Sequence, residues 1–310
     1  FANYLNINPT NVCAIGCLFC SFARWPGEEG GYALSLAEIR DRVRSACENQ
    51  LIREVHIVGG LNDALPLDYY FDVVSTVKET KSDLFVKAYT AVEIDYFARR
   101  GKMSYVEVLT ELKSRGLDLL PGGGAEIFAE RVRRKICGKK IEADEWLEVH
   151  RVAHSLGIRS NCTMLYGHVE DEEDRVDHIL RLRALADETG GFNSIIPLAY
   201  QDDHNPLARL VQDRETDGIT DLKVYAASRL LFDNVPHLKG YWTTVGLRFA
   251  QVALSFGVDD LGGTAYNEKI MHDAGVETPV SHTQEELVRT IRTNGFEPCE
   301  VVSSYDKIFR

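Results

Sequence analysis

The stretch YLNINPTNVCAIGCLFC, residues 4–20, begins as an apolar run and ends on three cysteines within eight residues. Residues 4–8 read as a buried strand: the run lacks the strict alternation of a half-exposed sheet, as expected of a parallel strand covered on both faces. Cys13, Cys17 and Cys20 then share one loop at that strand's C-terminal end, where α/β barrels carry their chemistry. Thiolates are soft ligands suited to iron–sulfur clusters or zinc, and a structural site of either kind normally takes four protein ligands. Only three are local here, so a cubane on this loop would keep one iron open to a small molecule. The competing reading is a zinc knuckle whose fourth ligand is a histidine, Cys47, Cys137, Cys162 or Cys299. Seven cysteines with three bunched and four scattered make a poor disulfide framework, and the scattered four read as small buried hydrophobes.

Working outward, residues 55–58, 84–89, 117–120, 161–165 and 194–198 also read as buried strands, with helical patterns between them. Ser35 with Glu38 and Ser104 with Glu107 have capping-box spacing and mark helix starts. This alternation predicts a parallel sheet with right-handed crossovers, most simply a full or partial (β/α) barrel, with an open doubly wound sheet as runner-up. After Ile219 the pattern turns mainly helical, over residues 221–232, 241–256 and 285–293. Residues 1–310 are therefore read as a single domain, in which 1–218 form the core barrel and 219–310 complete or cap it. Apolar residues at 45% and charged residues at 26% fit a folded chain with a sizeable core. A net charge of −12 argues against nucleic-acid or anionic-membrane binding, which needs clustered Lys and Arg. No stretch approaches the roughly 20 apolar residues of a membrane span and no signal segment opens the chain, which points to a cytoplasmic protein.

The C-x3-C-x2-C spacing, with Phe19 just before the third cysteine, is the signature of the radical S-adenosylmethionine (SAM) superfamily. Within it, residues 6–13 (NINPTNVC), 121–136 (PGGGAEIFAERVRRKI), 160–170 (SNCTMLYGHVE) and 187–198 (DETGGFNSIIPL) resemble the aminofutalosine synthase family, and the resemblance runs nearly the whole chain. It implies a TIM-type (β/α) barrel with a [4Fe-4S] cluster on Cys13, Cys17 and Cys20, and SAM consumed as co-substrate. It also implies an electron donor such as flavodoxin or ferredoxin, and 3-[(1-carboxyvinyl)oxy]benzoate as the small-molecule substrate. In that family a 5′-deoxyadenosyl radical adds to the enolpyruvyl double bond, the adduct rearranges through the ring, and a carboxyl group is lost. The product, 6-amino-6-deoxyfutalosine, belongs to menaquinone biosynthesis. Dehypoxanthine futalosine cyclase and the deazaflavin-chromophore synthases share the cysteine loop and the glycine run. Residues 166–170 (YGHVE) and 196–200 (IPLAY) favour the synthase. A zinc- or cluster-binding interaction protein is the non-enzymatic alternative.

For the cofactors, the resemblance points to Phe19, Gly59, Gly60, Thr90, Glu126, Asn161 and Thr163, all on or after predicted strands. A bare backbone at Gly59–Gly60 would admit the methionyl amino group of SAM, although a plain strand-end turn also explains the pair. Glu126 reads equally as a first-turn helix carboxylate. Asn161, Thr163 and Leu165 share one strand face, which is expected to be the barrel interior. Two substrate carboxylates need donors, and His168, Tyr166, Asn161 and Thr163 are the candidates, with His168 and Tyr166 placed as catalytic. His56, His150, His154 and His178 read as packing or surface residues, and Arg131, Arg133 and Arg134 as a solvated helix face. Two features depart from the family: Cys162 stands where a small residue is usual, and the 202–206 segment (DDHNP) differs. The chain also begins a dozen residues before Cys13, where family members carry a helical stretch, so residue 1 is expected to be a trimmed start.

Overall fold

A computed structural model describes residues 1–202, 204–211 and 217–309. Asp203, in the departing 202–206 segment, lies outside the described residues.

Seven parallel strands run in sequence order: β1 (Tyr4–Ile7), β2 (Glu54–Ile57), β3 (Phe85–Ala88), β4 (Leu119–Leu120), β5 (Arg159–Tyr166), β6 (Phe192–Ala199) and β7 (His237–Leu238). Each pairs only with its neighbours in the chain, as short right-handed crossovers demand. The two edges of the curled sheet are spanned by residues 260–266. Asp260 bridges Lys239 just past β7, while Gly263 and Tyr266 bridge Ala2 and Leu5 beside and within β1, all in parallel sense. The backbone bonds Ala2 N→Gly262 O and Asn6 N→Tyr266 O, each 2.8 Å, hold that seam. The barrel wall thus draws on β7 and the seam beyond residue 218, where the sequence pattern had suggested mostly helices. The expected helix over 241–256 is also broken. Gly246 sits at φ +81° and divides it into Trp242–Val245 and Leu247–Ala253.

Elsewhere the local chemistry sets the elements. The helix Leu36–Asn49 starts on Ser35, whose hydroxyl accepts from Glu38 N (3.2 Å) while the Glu38 carboxylate accepts from Ser35 N (2.7 Å). Tyr105–Ser114 starts the same way on Ser104 and Glu107. Along β1–β3 alternate residues divide between layers. Leu5, Ile7, Val55, Ile57, Val86 and Ala88 join the apolar core under the helices, while Tyr4, Asn6, His56 and Lys87 line the interior. The last segment, β8 (Glu300–Val301) and β9 (Ile308–Phe309), forms an antiparallel pair across the end of the barrel where the strands begin. Ser303 is fixed there between Glu54, Lys87 and Asn193.

Arg133 departs from the solvated face read for it: it is buried, and its guanidinium donates to Ala125 O and Ile141 O, each at 2.5 Å. A charge is tolerated inside because the carbonyls of the 124–127 turn need donors and the guanidinium fork supplies several. His150 and His178 are buried, while His56, stacked on Tyr4, and His154 are half-buried. Burial lowers His154 to about 4 and His178 to about 3, and holds His150 well below the usual range. A histidine kept neutral in the fold but free to protonate at about 6.5 when unfolded stabilises the fold above that pH, and the contribution is lost as pH falls. Melting temperature should therefore drop between pH 7 and pH 5. In His178→Gln, which keeps a donor for the Thr163 carbonyl, the drop should be smaller; an unchanged drop in thermal melts at the two pH values would contradict this.

Candidate active site

The cysteine loop has no regular structure of its own and is held by backbone bonds on every side. Gly60 N donates to Thr10 O (2.8 Å), Ala14 N to Leu61 O (3.2 Å), Cys13 N to Arg24 O (2.9 Å) and Leu18 N to Ile136 O (2.8 Å). Gly59 and Gly60 allow this approach. A Cβ on Gly60 would stand 2.1 Å from Val12 O, and one on Gly59 would stand 2.9 Å from Thr10 O. Gly60 therefore serves to dock the loop and lies off the cavity, whereas Gly59 also lines it.

Cys13, Cys17 and Cys20 face one cavity of about 380 Å³ that runs from this loop into the barrel. Phe19, Gly59, Thr90, Glu126, Asn161 and Thr163 face it too, so nine of the twelve residues singled out from sequence meet in one space. Thr90 is the N-cap of Ala91–Gly101, in a capping box with Glu93, whose carboxylate also accepts from Gly59 N (3.1 Å). Burial pushes Glu93 up to about 7 despite those donors. Glu126 stands at φ +47°, an uncommon conformation for a residue with a side chain, and is paired with Lys140. Burial alone would lower Lys140, but Cys17 and Glu126 beside it hold it above its ordinary value. Its ammonium lies 4.9 Å from the centre of the Phe19 ring. Thr163 spends its hydroxyl proton on Gly122 O (2.7 Å). Asn161 is fully buried, yet neither its amide nitrogen nor its amide oxygen has a partner among the described residues.

Tyr166 and His168, expected as catalytic groups, do not line this space. Tyr166 is one residue out of phase with Asn161, Thr163 and Leu165, so it points away from the interior, and its hydroxyl donates to Asp221 (2.7 Å). The His168 ring closes its own turn: Nδ1 accepts from Val169 N (2.7 Å) and Nε2 lies 3.1 Å from Leu165 O. The residues that sequence reading passed over are Lys140, Lys87 and Lys239, which line the cavity together with His56, read from sequence as a packing or surface residue. A lysine inside an otherwise apolar strand, as in the LFVKAYT run of 84–90, was the available signal for Lys87.

The donor set suits a cluster and its nucleotide. Burial pushes the Cys17 thiol up to about 12 and raises Cys20 as well, with Lys140 opposing. Thiols of that kind remain protonated at neutral pH unless a metal draws off the proton. Among the described residues no three His, Cys, Asp or Glu side chains converge on one point as ligands of a single ion would. A cubane asks something different, since each thiolate binds its own iron.

The model of the radical SAM superfamily matches residues 7–182, and that of the CofH/MqnC C-terminal region matches residues 189–308. The chain belongs to the radical SAM superfamily. It is 48% identical to the aminodeoxyfutalosine synthase of Thermus thermophilus, over 99% of this chain and 83% of that one. It is 43% identical to the synthase of Streptomyces coelicolor, over 97% and 80%. The 5-amino-6-(D-ribitylamino)uracil–L-tyrosine 4-hydroxyphenyl transferase of Methanopyrus kandleri is 37% identical, over 98% and 82%. Methylornithine synthase has the same fold, with a TM-score of 0.73 at 16% identity over 98% of this chain and 85% of that one. Radical SAM enzymes use a [4Fe-4S] cluster and SAM, and this chain is an enzyme of that class.

Because Gly60 touches the loop backbone itself, Gly60→Ala should destabilise the protein by about 3 kcal/mol, through overpacking that no side-chain rotation relieves. Its iron content after anaerobic reconstitution should fall well below that of the parent. Iron and melting temperature equal to the parent's would show that the loop can yield.

Proposed function

We propose that the chain is an aminofutalosine synthase, joining the adenosyl group of SAM to 3-[(1-carboxyvinyl)oxy]benzoate with rearrangement and loss of one carboxyl group. The similarity to two synthases over nearly the whole chain carries this reading. The cavity supports it: the wall between the cysteine loop and the deep end includes Val58, Leu165, Ile196 and Leu198, an apolar slot suited to an aromatic ring. When bound, the cluster and SAM supply a primary carbon radical. The protein's own part is then to position the alkene and exclude water, since such a radical abstracts hydrogen from whatever C–H bond lies nearest.

In this reading Cys13, Cys17 and Cys20 ligate the cluster, and Phe19 with Lys140 shields its loop. Gly59, Thr90 and Glu126 meet the methionyl and ribose groups, while Thr163 borders the reacting centre and Asn161 stands deeper on the same strand face. Glu93, protonated over part of the neutral range, keeps a second negative charge from the methionyl carboxylate. A flavodoxin or ferredoxin as electron source and a cytoplasmic setting complete it. No helix among the described residues is long and apolar enough to cross a membrane.

The tyrosine-linked transferases keep a second reading alive, because they too align over nearly the whole chain. Oxygen-free protein reconstituted with iron and sulfide should be brown, and Cys17→Ala should lose the colour. Incubated with SAM, a strong reductant and the enolpyruvyl benzoate, the parent should release a covalent adenosine-containing product, identified by its product-ion mass spectrum. Free 5′-deoxyadenosine as the dominant nucleoside, with dehypoxanthine futalosine or tyrosine accepted instead, would favour the cyclase or the transferase. Tyr166→Phe, which alters only a bond to Asp221, should keep product formation within about 3-fold of the parent, because a partly exposed hydrogen bond is worth about 1 kcal/mol or less; a 100-fold loss would return Tyr166 to the site.

A further inference from the structure

Below the apolar wall, at the end of the cavity away from the cysteine loop, two buried lysines face the ligand space. Lys87 projects inward from β3 and Lys239 from the end of β7, and both are about nine-tenths or more buried. Their counter-ions lie beneath them. Glu54 is 3.2 Å from Lys87 and Asp260 is 3.0 Å from Lys239, and both carboxylates are buried and take no part in lining the cavity. The deep end is therefore lined by the two lysines, while the carboxylates that compensate them stay outside the lining.

Neighbouring groups reinforce this arrangement. His56 lines the same space and is bonded to Glu54; burial and Lys87 lower it to about 3, so it is a neutral hydrogen-bonding ring. Burial, with Lys239 close by, lowers Lys87 to about 8 although Glu54 opposes, so a further anion would be welcome there. Burial alone would raise Glu54, but Lys87 and His56 hold it well below the usual carboxylate range. Asn161, on the same cavity wall, has an entirely unpartnered amide, and a buried amide left without partners calls for a ligand. The cavity's other carboxylates are already engaged: Glu93 by Gly59 N and Thr90 N, Glu126 by Lys140, and Glu268 by His272 and Met271 N.

We infer that Lys87 and Lys239, with Asn161, form a carboxylate-binding floor that holds the far carboxylate of an aromatic dianion and thereby sets the depth of its reacting end. This rests on the synthase reading, which supplies an aromatic substrate with one carboxylate on the ring and one on the enolpyruvyl group. The enolpyruvyl carboxylate lies one carbon from the attacked methylene and must stay near the cysteine loop. Only the ring carboxylate can reach the floor, with the ring between Val58, Leu165, Ile196 and Leu198. The donors are already oriented by Glu54, Asp260 and Ser303, so little reorganisation accompanies binding.

The test is calorimetric binding to the cluster-loaded protein in the presence of SAM, using two unreactive probes: 3-(carboxymethoxy)benzoate, and phenoxyacetate, which lacks the ring carboxylate. The parent should bind the first about 30-fold more tightly than the second, as loss of one buried charge-assisted pair implies. Lys239→Gln, made with Asp260→Asn so that no buried carboxylate faces a missing lysine, should erase that preference and leave phenoxyacetate binding unchanged. Asn161→Leu removes an amide that has no partner in the fold, so it should melt no lower than the parent yet bind the dicarboxylate more weakly by about 10-fold. A parent that makes the adenosine adduct but does not distinguish the two probes would overturn the floor alone, as would K239Q/D260N and N161L each binding the dicarboxylate within 2-fold of the parent. A parent that makes no adduct from the enolpyruvyl benzoate would instead sink the synthase reading.

Discussion

Three cysteines on an irregular loop can present a fixed face only if the loop's backbone is fixed, and here that depends on one close approach, of residues 10–12 to Gly59 and Gly60. The contact joins the end of β2 to the loop after β1 at a distance no side chain would permit. Cys13 then follows from Val12 by one residue, and Leu18 is tied to Ile136, which brings the loop to the helix Glu130–Cys137 and the turn before Lys140. The fold positions its thiols through main-chain geometry, which is stiffer than any side-chain contact available at a loop.

The second organising feature is the division of each strand between two environments. One face of β1, β2 and β3 is aliphatic and packs under helices; the other carries Tyr4, Asn6, His56 and Lys87. Polar groups inside a barrel cost free energy unless paired, and here they are paired in depth: Glu54 with Lys87 and His56, Asp260 with Lys239 and the Tyr305 hydroxyl (2.6 Å). The terminal segment that carries Ser303 and Tyr305 closes the polar layer from below. The tail after β8 therefore belongs to the chemistry of the interior as much as to the fold.

Much of this was legible because it rests on local rules. Six strands could be read from short apolar runs, and the capping boxes at Ser35 and Ser104 mark helix starts that the structure places one residue later, at Leu36 and Tyr105. Period-two alternation put Asn161, Thr163 and Leu165 on one face, and they do share the cavity. The same rule, applied one residue further, assigns Tyr166 to the outer layer. The motif around His168 drew attention to a turn whose polar groups are satisfied within it, with Glu170 accepting from Gly167 N and His168 N. What sequence could not show is long-range pairing. β7 is two residues long and the 260–266 seam is held by isolated bridges, so neither carries a periodic signal. Arg133 looks like one of three arginines on a helix until the carbonyls of the 124–127 turn are known to face it. Lys239 and Asp260 are 21 residues apart and become partners only when the barrel closes.

The inventory of the cavity also bears on the kind of chemistry it can host. A site built for acid–base catalysis offers a titratable group free to exchange a proton with substrate. Among the described residues, the carboxylates here are committed to lysines, a histidine or backbone N–H groups, His56 is held neutral, and the lysines stand on buried counter-ions. Such groups bind and orient, and they do so without reorganising. A reaction whose difficult step is carried by a radical needs little more from the protein than a fixed distance and a dry slot. A cavity with a thiol loop at one end, aliphatic walls in the middle and braced ammonium groups at the other meets that need by geometry alone.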